Sequence, residues 1–136
     1  MALDYYLEIE KYSTQEKQTK LRNLILNEFM LIDHVDTKIM TAPGIGVSFF
    51  VDDDDFEQNS EINSKPEAHP NLTICFRIDK FELQKKGYKL LHKIVQKVLH
   101  TVEADMHLAD EDDVIFLKRE SGKISKMLLD HDIWQV

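Results

Sequence analysis

Leu3, Tyr5, Leu7 and Ile9 are separated by Asp4, Tyr6 and Glu8. That period of two predicts a half-buried strand at the start of the chain. The period then lengthens. Ser13 and Glu16 have the S-x-x-E spacing of a capping box, and Leu21, Leu24, Ile25 and Phe29 recur at three and four residues. The prediction is a helix with one apolar face, ended by "LIDHVD". "TKIMTA", Pro43-Gly44 and "GVSFFVD" predict strand, turn and strand. The clearest strand follows, with Leu72, Ile74, Phe76 and Ile78 alternating with Thr73, Cys75, Arg77 and Asp79. Asp79 and Glu82 repeat the capping spacing with Asp as N-cap. The longest predicted helix comes next, its stripe made of Leu91, Ile94, Val95, Val98 and Val102 and widened by Leu90 and Leu99. Gly87 in its first turns costs about 1 kcal/mol relative to alanine and is read as the mark of a close contact. "DVIFLKRE", Ser121-Gly122 and "KISKMLLD" predict a closing hairpin.

The resulting order is β-α-β-β-β-α-β-β. Two helices over one mainly antiparallel sheet make an α+β sandwich of two layers, with both helices on one face. Residues 52–71, "DDDDFEQNSEINSKPEAHPN", have few apolar positions and two prolines. They predict a mobile acidic loop within a single domain spanning 1–136, because too little chain precedes the loop to close a core of its own.

Composition narrows the setting. The chain has 136 residues, 43% of them hydrophobic, enough for one core without staples. Its single cysteine, Cys75, excludes an intrachain disulfide. The first residues, "MALDYYLEIEKY", mix acids into the apolar positions and do not read as a signal peptide. No stretch approaches ~18 consecutive apolar residues, so a membrane span is not expected. The expected location is the cytoplasm.

A net charge of -8 argues against binding a nucleic-acid backbone directly, which needs clustered Lys and Arg. The acids are also gathered in sequence. Asp52, Asp53, Asp54 and Asp55 form one run, Asp110, Glu111, Asp112 and Asp113 a second, and Asp130 and Asp132 stand near the end. If each strand-helix-strand passage runs parallel and each hairpin antiparallel, all these clusters, with Asp33 and Asp36 at the start of the second strand, are expected at one end of the sheet and lysines such as Lys80, Lys85 and Lys86 at the other. Like charge held together destabilises a fold through self-repulsion, and a basic partner gives a reason to keep it. Asp52–Asp55, Asp110–Asp113, Asp130 and the neighbouring aromatic Trp134 are therefore the candidate partner-binding residues.

Other chemistries fit less well. The aspartate run lacks the alternation and turn glycine of a calcium loop, so no metal ligand is assigned. His92 and His100 are two helical turns apart, too far for a shared ion. Cys75 has no histidine close in sequence and reads as a quiet thiol. Gly44-Ile45-Gly46 is followed by a strand, whereas a phosphate loop needs a helix there. No nucleophile, base and orienting group come together, so neither an enzyme nor a cofactor is expected. Two alternatives remain open. One is a non-catalytic scaffold that binds a small ligand or homodimerises through an exposed strand edge. The other is a metal-dependent hydrolase using Asp and His.

"MALDYYLEI", "VSFFVD", "FRIDKFELQKKGYKLLHKIVQKVL" and "DVIFLKRESGKI" resemble the immunity proteins of the myxobacterial swarming-inhibition (SitI-type) toxin systems. The most specific piece is Phe76, Arg77, Asp79, Lys80 and Phe81, at the join of strand and helix. The resemblance implies a cytoplasmic protein that neutralises a cognate toxin, without catalytic residues to carry over. A toxin that cuts nucleic acid needs a basic cleft, which an acidic surface can plug.

Overall fold

The computed structural model describes residues 2–51 and 71–127. In chain order the elements are β1 (Ala2–Ile9), α1 (Gln15–Glu28), β2 (Ile32–His34), β3 (Ile39–Ala42) and β4 (Ile45–Val51), then β5 (Leu72–Asp79), α2 (Gln84–Thr101), β6 (Met106–Asp110), β7 (Ile115–Glu120) and β8 (Lys123–Met127). Among the described residues the strands form one eight-stranded sheet in the order β2-β3-β4-β5-β1-β6-β7-β8, and every neighbouring pair is antiparallel. The architecture is the expected α+β fold, in the expected succession of strands and helices, with β2 and β6 as two further short strands inside it.

The core lies between the helices and one face of the sheet. Leu7, Ile9, Val47, Ile74, Phe76, Ile78 and Leu108 point into it and are fully buried. Alternation explains this, because every second residue of a strand faces the same way. Leu91, Ile94, Val95 and Val98 of α2 and Leu21 and Ile25 of α1 close the core from above. Each such side chain contributes roughly 1.5–3 kcal/mol relative to leaving it in water. A polar contact crosses this core. The hydroxyls of Tyr5 and Tyr88 share a buried hydrogen bond of 2.7 Å, so neither polar group is stranded among apolar neighbours.

The helix starts differ from the predicted caps. Thr14, one residue after Ser13, is the N-cap of α1, and its side chain accepts the backbone N–H of Lys17 at 3.3 Å. Asp79 does not cap α2. It still belongs to β5, where it pairs with Ala2, and its side chain accepts the N–H of Phe81 at 3.1 Å. α2 starts five residues later with no side-chain cap.

The predicted strand directions, from which the single acidic pole follows, are overturned. β2 forms a hairpin with β3, and this extra reversal inverts the direction of β3, β4 and β5 relative to the expectation. β6 adds a second reversal and restores β7 and β8. As a result Val51 pairs with Leu72, Leu72 with Ile9 and Ile9 with Met106, at the end of the sheet where β1 finishes. β4 finishes at that end. The β6–β7 turn carrying Glu111, Asp112 and Asp113 lies at the opposite end, beside the start of β1. Asp33 is on β2, the far edge strand from β8. Lys80, Lys85 and Lys86 follow the end of β5, and so stand at the same end as the β6–β7 turn rather than opposite it.

Candidate partner-binding surface

The β6–β7 turn is built around Asp110. Its carboxylate accepts the backbone N–H groups of Asp112 at 2.9 Å and Val114 at 3.0 Å. The backbone adds Asp113 N–H to Asp110 C=O at 3.1 Å and Asp110 N–H to Val114 C=O at 3.2 Å. Short acidic side chains suit such turns because they bond the backbone two residues on and tolerate left-handed geometry; Asp113 adopts φ 61°. The turn is fastened to β1, where the Asp4 N–H donates to the Glu111 carboxylate at 3.1 Å. Glu111, Asp112 and Asp113 are exposed, and none of the four acids forms an ion pair with another described residue. The result is a turn of fixed backbone whose acidic side chains face outward.

Beside this turn lies the helix-free face of the sheet, and sequence reasoning did not foresee what it assembles. Arg77 on β5 forks onto Asp4 on β1, with Nε at 3.0 Å and a second N–H at 3.3 Å. Glu8 accepts from Asn71 at 3.0 Å and lies 3.2 Å from His107 Nε2. Between these pairs sit Tyr6 and Cys75, directly opposite each other. Burial, then the nearby negative groups, pushes the Tyr6 hydroxyl above its ordinary pKa. Burial likewise raises the Cys75 thiol, and Asp4 adds to the effect. Toward the β2 edge the same face turns apolar: Ile32 is 63% exposed and Phe50 55%. The alternation of β1 and β5 already puts Asp4, Tyr6, Glu8, Cys75 and Arg77 on one face of their strands. What it lacks is the pairing of those strands, made between residues more than sixty positions apart.

A third feature is a polar cleft of about 460 Å³ between α1 and the β2–β3 hairpin, lined among others by Gln18, Arg22, Asp33 and Lys38. The Arg22 guanidinium forks onto Asp33 at 2.6 and 3.2 Å and holds that carboxyl below its usual range. Among the described residues no group of three or more His, Cys, Asp or Glu side chains is placed to hold a metal ion. No described helix is long and apolar enough to cross a membrane.

Of the sequence-predicted site residues, Asp110, Glu111, Asp112 and Asp113 come together as one turn. Asp52, Asp53, Asp54, Asp55, Asp130 and Trp134 lie outside the described residues.

The SitI3-like family matches residues 3–135, nearly the whole chain. The protein belongs to that family. Membership connects it with immunity-type proteins. No curated protein and no solved structure matches the chain.

Proposed function

We propose that this SitI3-like protein is a cytoplasmic immunity protein that neutralises a cognate toxin by binding a basic surface on it. The observation that carries the binding surface is the β6–β7 turn. Glu111, Asp112 and Asp113 are exposed, free of ion pairs with described residues, and held in place by the Asp110 carboxylate. A backbone fixed before binding loses little freedom when a partner arrives. Complementary charge also speeds encounter and rejects wrong partners. The helix-free face next to the turn supplies area beyond the charges, with its Asp4–Arg77 pair and apolar flank. Asp52–Asp55 form a second acidic element of the proposal, and Asp130 and Trp134 a third.

The experiment is capture of the toxin encoded beside this protein's gene. Replacing Glu111, Asp112 and Asp113 with their amides is expected to weaken capture tenfold or more, by roughly 1.4 kcal/mol. The corresponding change at Asp52–Asp55 tests the second element separately. Full affinity in both variants would remove the acidic surface from the proposal. Absence of capture by the unmodified protein would remove toxin neutralisation itself.

A further inference from the structure

In a chain of net charge -8, the exposed side of α2 is basic. Lys85, Lys86, Lys89 and Lys93 are all exposed, and none forms an ion pair with another described residue. Lys97 continues the row and differs from them, lying 3.7 Å from Glu28. Residues three and four apart on a helix are neighbours, and like charges there repel. The position adds to the cost. Lys85, Lys86 and Lys89 occupy the first turns of α2, where no acid is present, and the helix dipole disfavours cations at that end. A purely solvating surface would gain as much from mixed charges without either penalty.

The row also has an apolar side. Ala42 and Pro43 from the end of β3, together with Leu90, line a groove of about 200 Å³ whose other walls are Lys86, Lys89 and Lys93. We propose that this ledge is a docking surface for an acidic polypeptide segment, with carboxylates on the lysines and an apolar side chain in the groove. The surface is separate from the acidic turn and does not depend on the toxin-binding proposal. A polypeptide fits better than a nucleic acid on two grounds. The overall negative charge repels a long polyanion, and a phosphate backbone offers nothing aliphatic to the Pro43–Leu90 groove.

The test uses the full chain and a fluorescent synthetic peptide of glutamates around a central leucine, with binding followed by anisotropy. Binding is expected at about 50 mM salt and is expected to weaken severalfold by about 500 mM, as screened charges require. The K86E/K89E/K93E protein should bind at least tenfold more weakly, while K86R/K89R/K93R retains binding. Replacing the peptide's leucine with glycine should weaken it severalfold. K89Q alone, with an unchanged denaturation midpoint, guards against a folding defect in the triple variant and should still show weaker binding. Equal binding by the charge-reversed or K89Q protein overturns the proposal, as does no binding by the unmodified chain at low salt. Tighter binding of a single-stranded oligonucleotide than of the peptide overturns it as well.

Discussion

A Cβ atom placed on Gly87 would stand 2.2 Å from the carbonyl oxygen of Gly44. The first turn of α2 and the β3–β4 turn therefore meet backbone to backbone. The contact is reciprocal, since a Cβ on Gly44 would lie 2.4 Å from the Leu83 carbonyl oxygen. The same Gly44 carbonyl accepts the Asp79 N–H at 3.0 Å, so the turn cannot simply move away. Gly87→Ala is expected to destabilise the protein. Overpacking costs about 1–3 kcal/mol, against a gain in helix propensity of at most about 1 kcal/mol. A urea midpoint equal to or above that of the unmodified protein would show that the turn yields freely.

Arg119 is expected to be the side chain on which the end of α2 depends most. Its guanidinium donates to the carbonyls of Leu99 at 2.9 Å and Ala104 at 3.2 Å, and also to that of Val102. These oxygens belong to the last turn of the helix and the residues after it, where intrahelical donors have run out. Arg119→Met keeps much of the stem and removes every donor. Loss of a half-buried, charge-assisted set of this kind is expected to cost roughly 2–4 kcal/mol. Arg119→Lys should recover only part of it, because an ammonium cannot reproduce the fork. Hydrogen exchange at the end of α2 would check the location, which should speed up there before it does in β1 or β5.

Local periodicity made the long elements legible. The inward residues of β1, β5 and α2 are buried as their spacing requires, and even the Gly87 contact left its mark as a helix-weakening residue. β2 and β6 were not legible for physical reasons. Ile32-Asp33-His34 is too short to display a period, and in β6 the burial of both Leu108 and Ala109 breaks the alternation. β6 pairs with β1 across about a hundred residues, an interaction that no local window contains. Each missing strand reverses the chain once, so the three residues of β2 inverted the direction of β3, β4 and β5, and the five of β6 returned β7 and β8 to the expected one. The acidity of 110–113 was plain, but its rigidity comes from the Asp110 side chain, which composition cannot reveal.

Asp105 ties the start of β6 to the β7–β8 turn. Its carboxylate accepts the N–H groups of Ser121 at 2.7 Å and Gly122 at 3.0 Å. The Gly122 bond, then the Ser121 bond, hold its pKa below the ordinary value, and Arg22 does the same for Asp33. A carboxyl depressed by folding adds stability that is present above its unfolded value, 3.8, and is lost as pH falls through the lower folded value. Urea midpoints should therefore drop below about pH 4. Asp105→Asn should be less stable at neutral pH and lose less on acidification. An Asn variant whose pH profile merely parallels that of the unmodified protein would remove Asp105 from the acid response.

Cys75 is expected to be a slow thiol. Burial on the helix-free face and the nearby Asp4 carboxylate raise its pKa, and only the thiolate is a competent nucleophile. At pH 8 the folded protein should react with a disulfide reagent at least several times more slowly than the urea-unfolded chain. A rate equal to that of the unfolded chain would mean that the thiol is neither shielded nor raised.

The acids of the β6–β7 turn should divide cleanly by role. The Asp110 carboxylate takes two backbone N–H groups and leaves both without a protein partner when removed. Asp110→Ala is expected to cost about 1–2 kcal/mol. Asp112 and Asp113 point to solvent without an ion pair among the described residues, and their change to asparagine should stay within about 0.5 kcal/mol of the unmodified stability. Asparagine also tolerates the left-handed backbone at Asp113. Glu111 stands between, since it accepts the Asp4 N–H at 3.1 Å, and an amide oxygen preserves that acceptor. The amide variants therefore remove charge without removing structure, so a loss of toxin capture in a protein of unchanged melting temperature is a loss of electrostatic recognition. If instead Asp112→Asn or Asp113→Asn unfolds the turn, the charges are structural and weaker capture would say nothing about the binding surface.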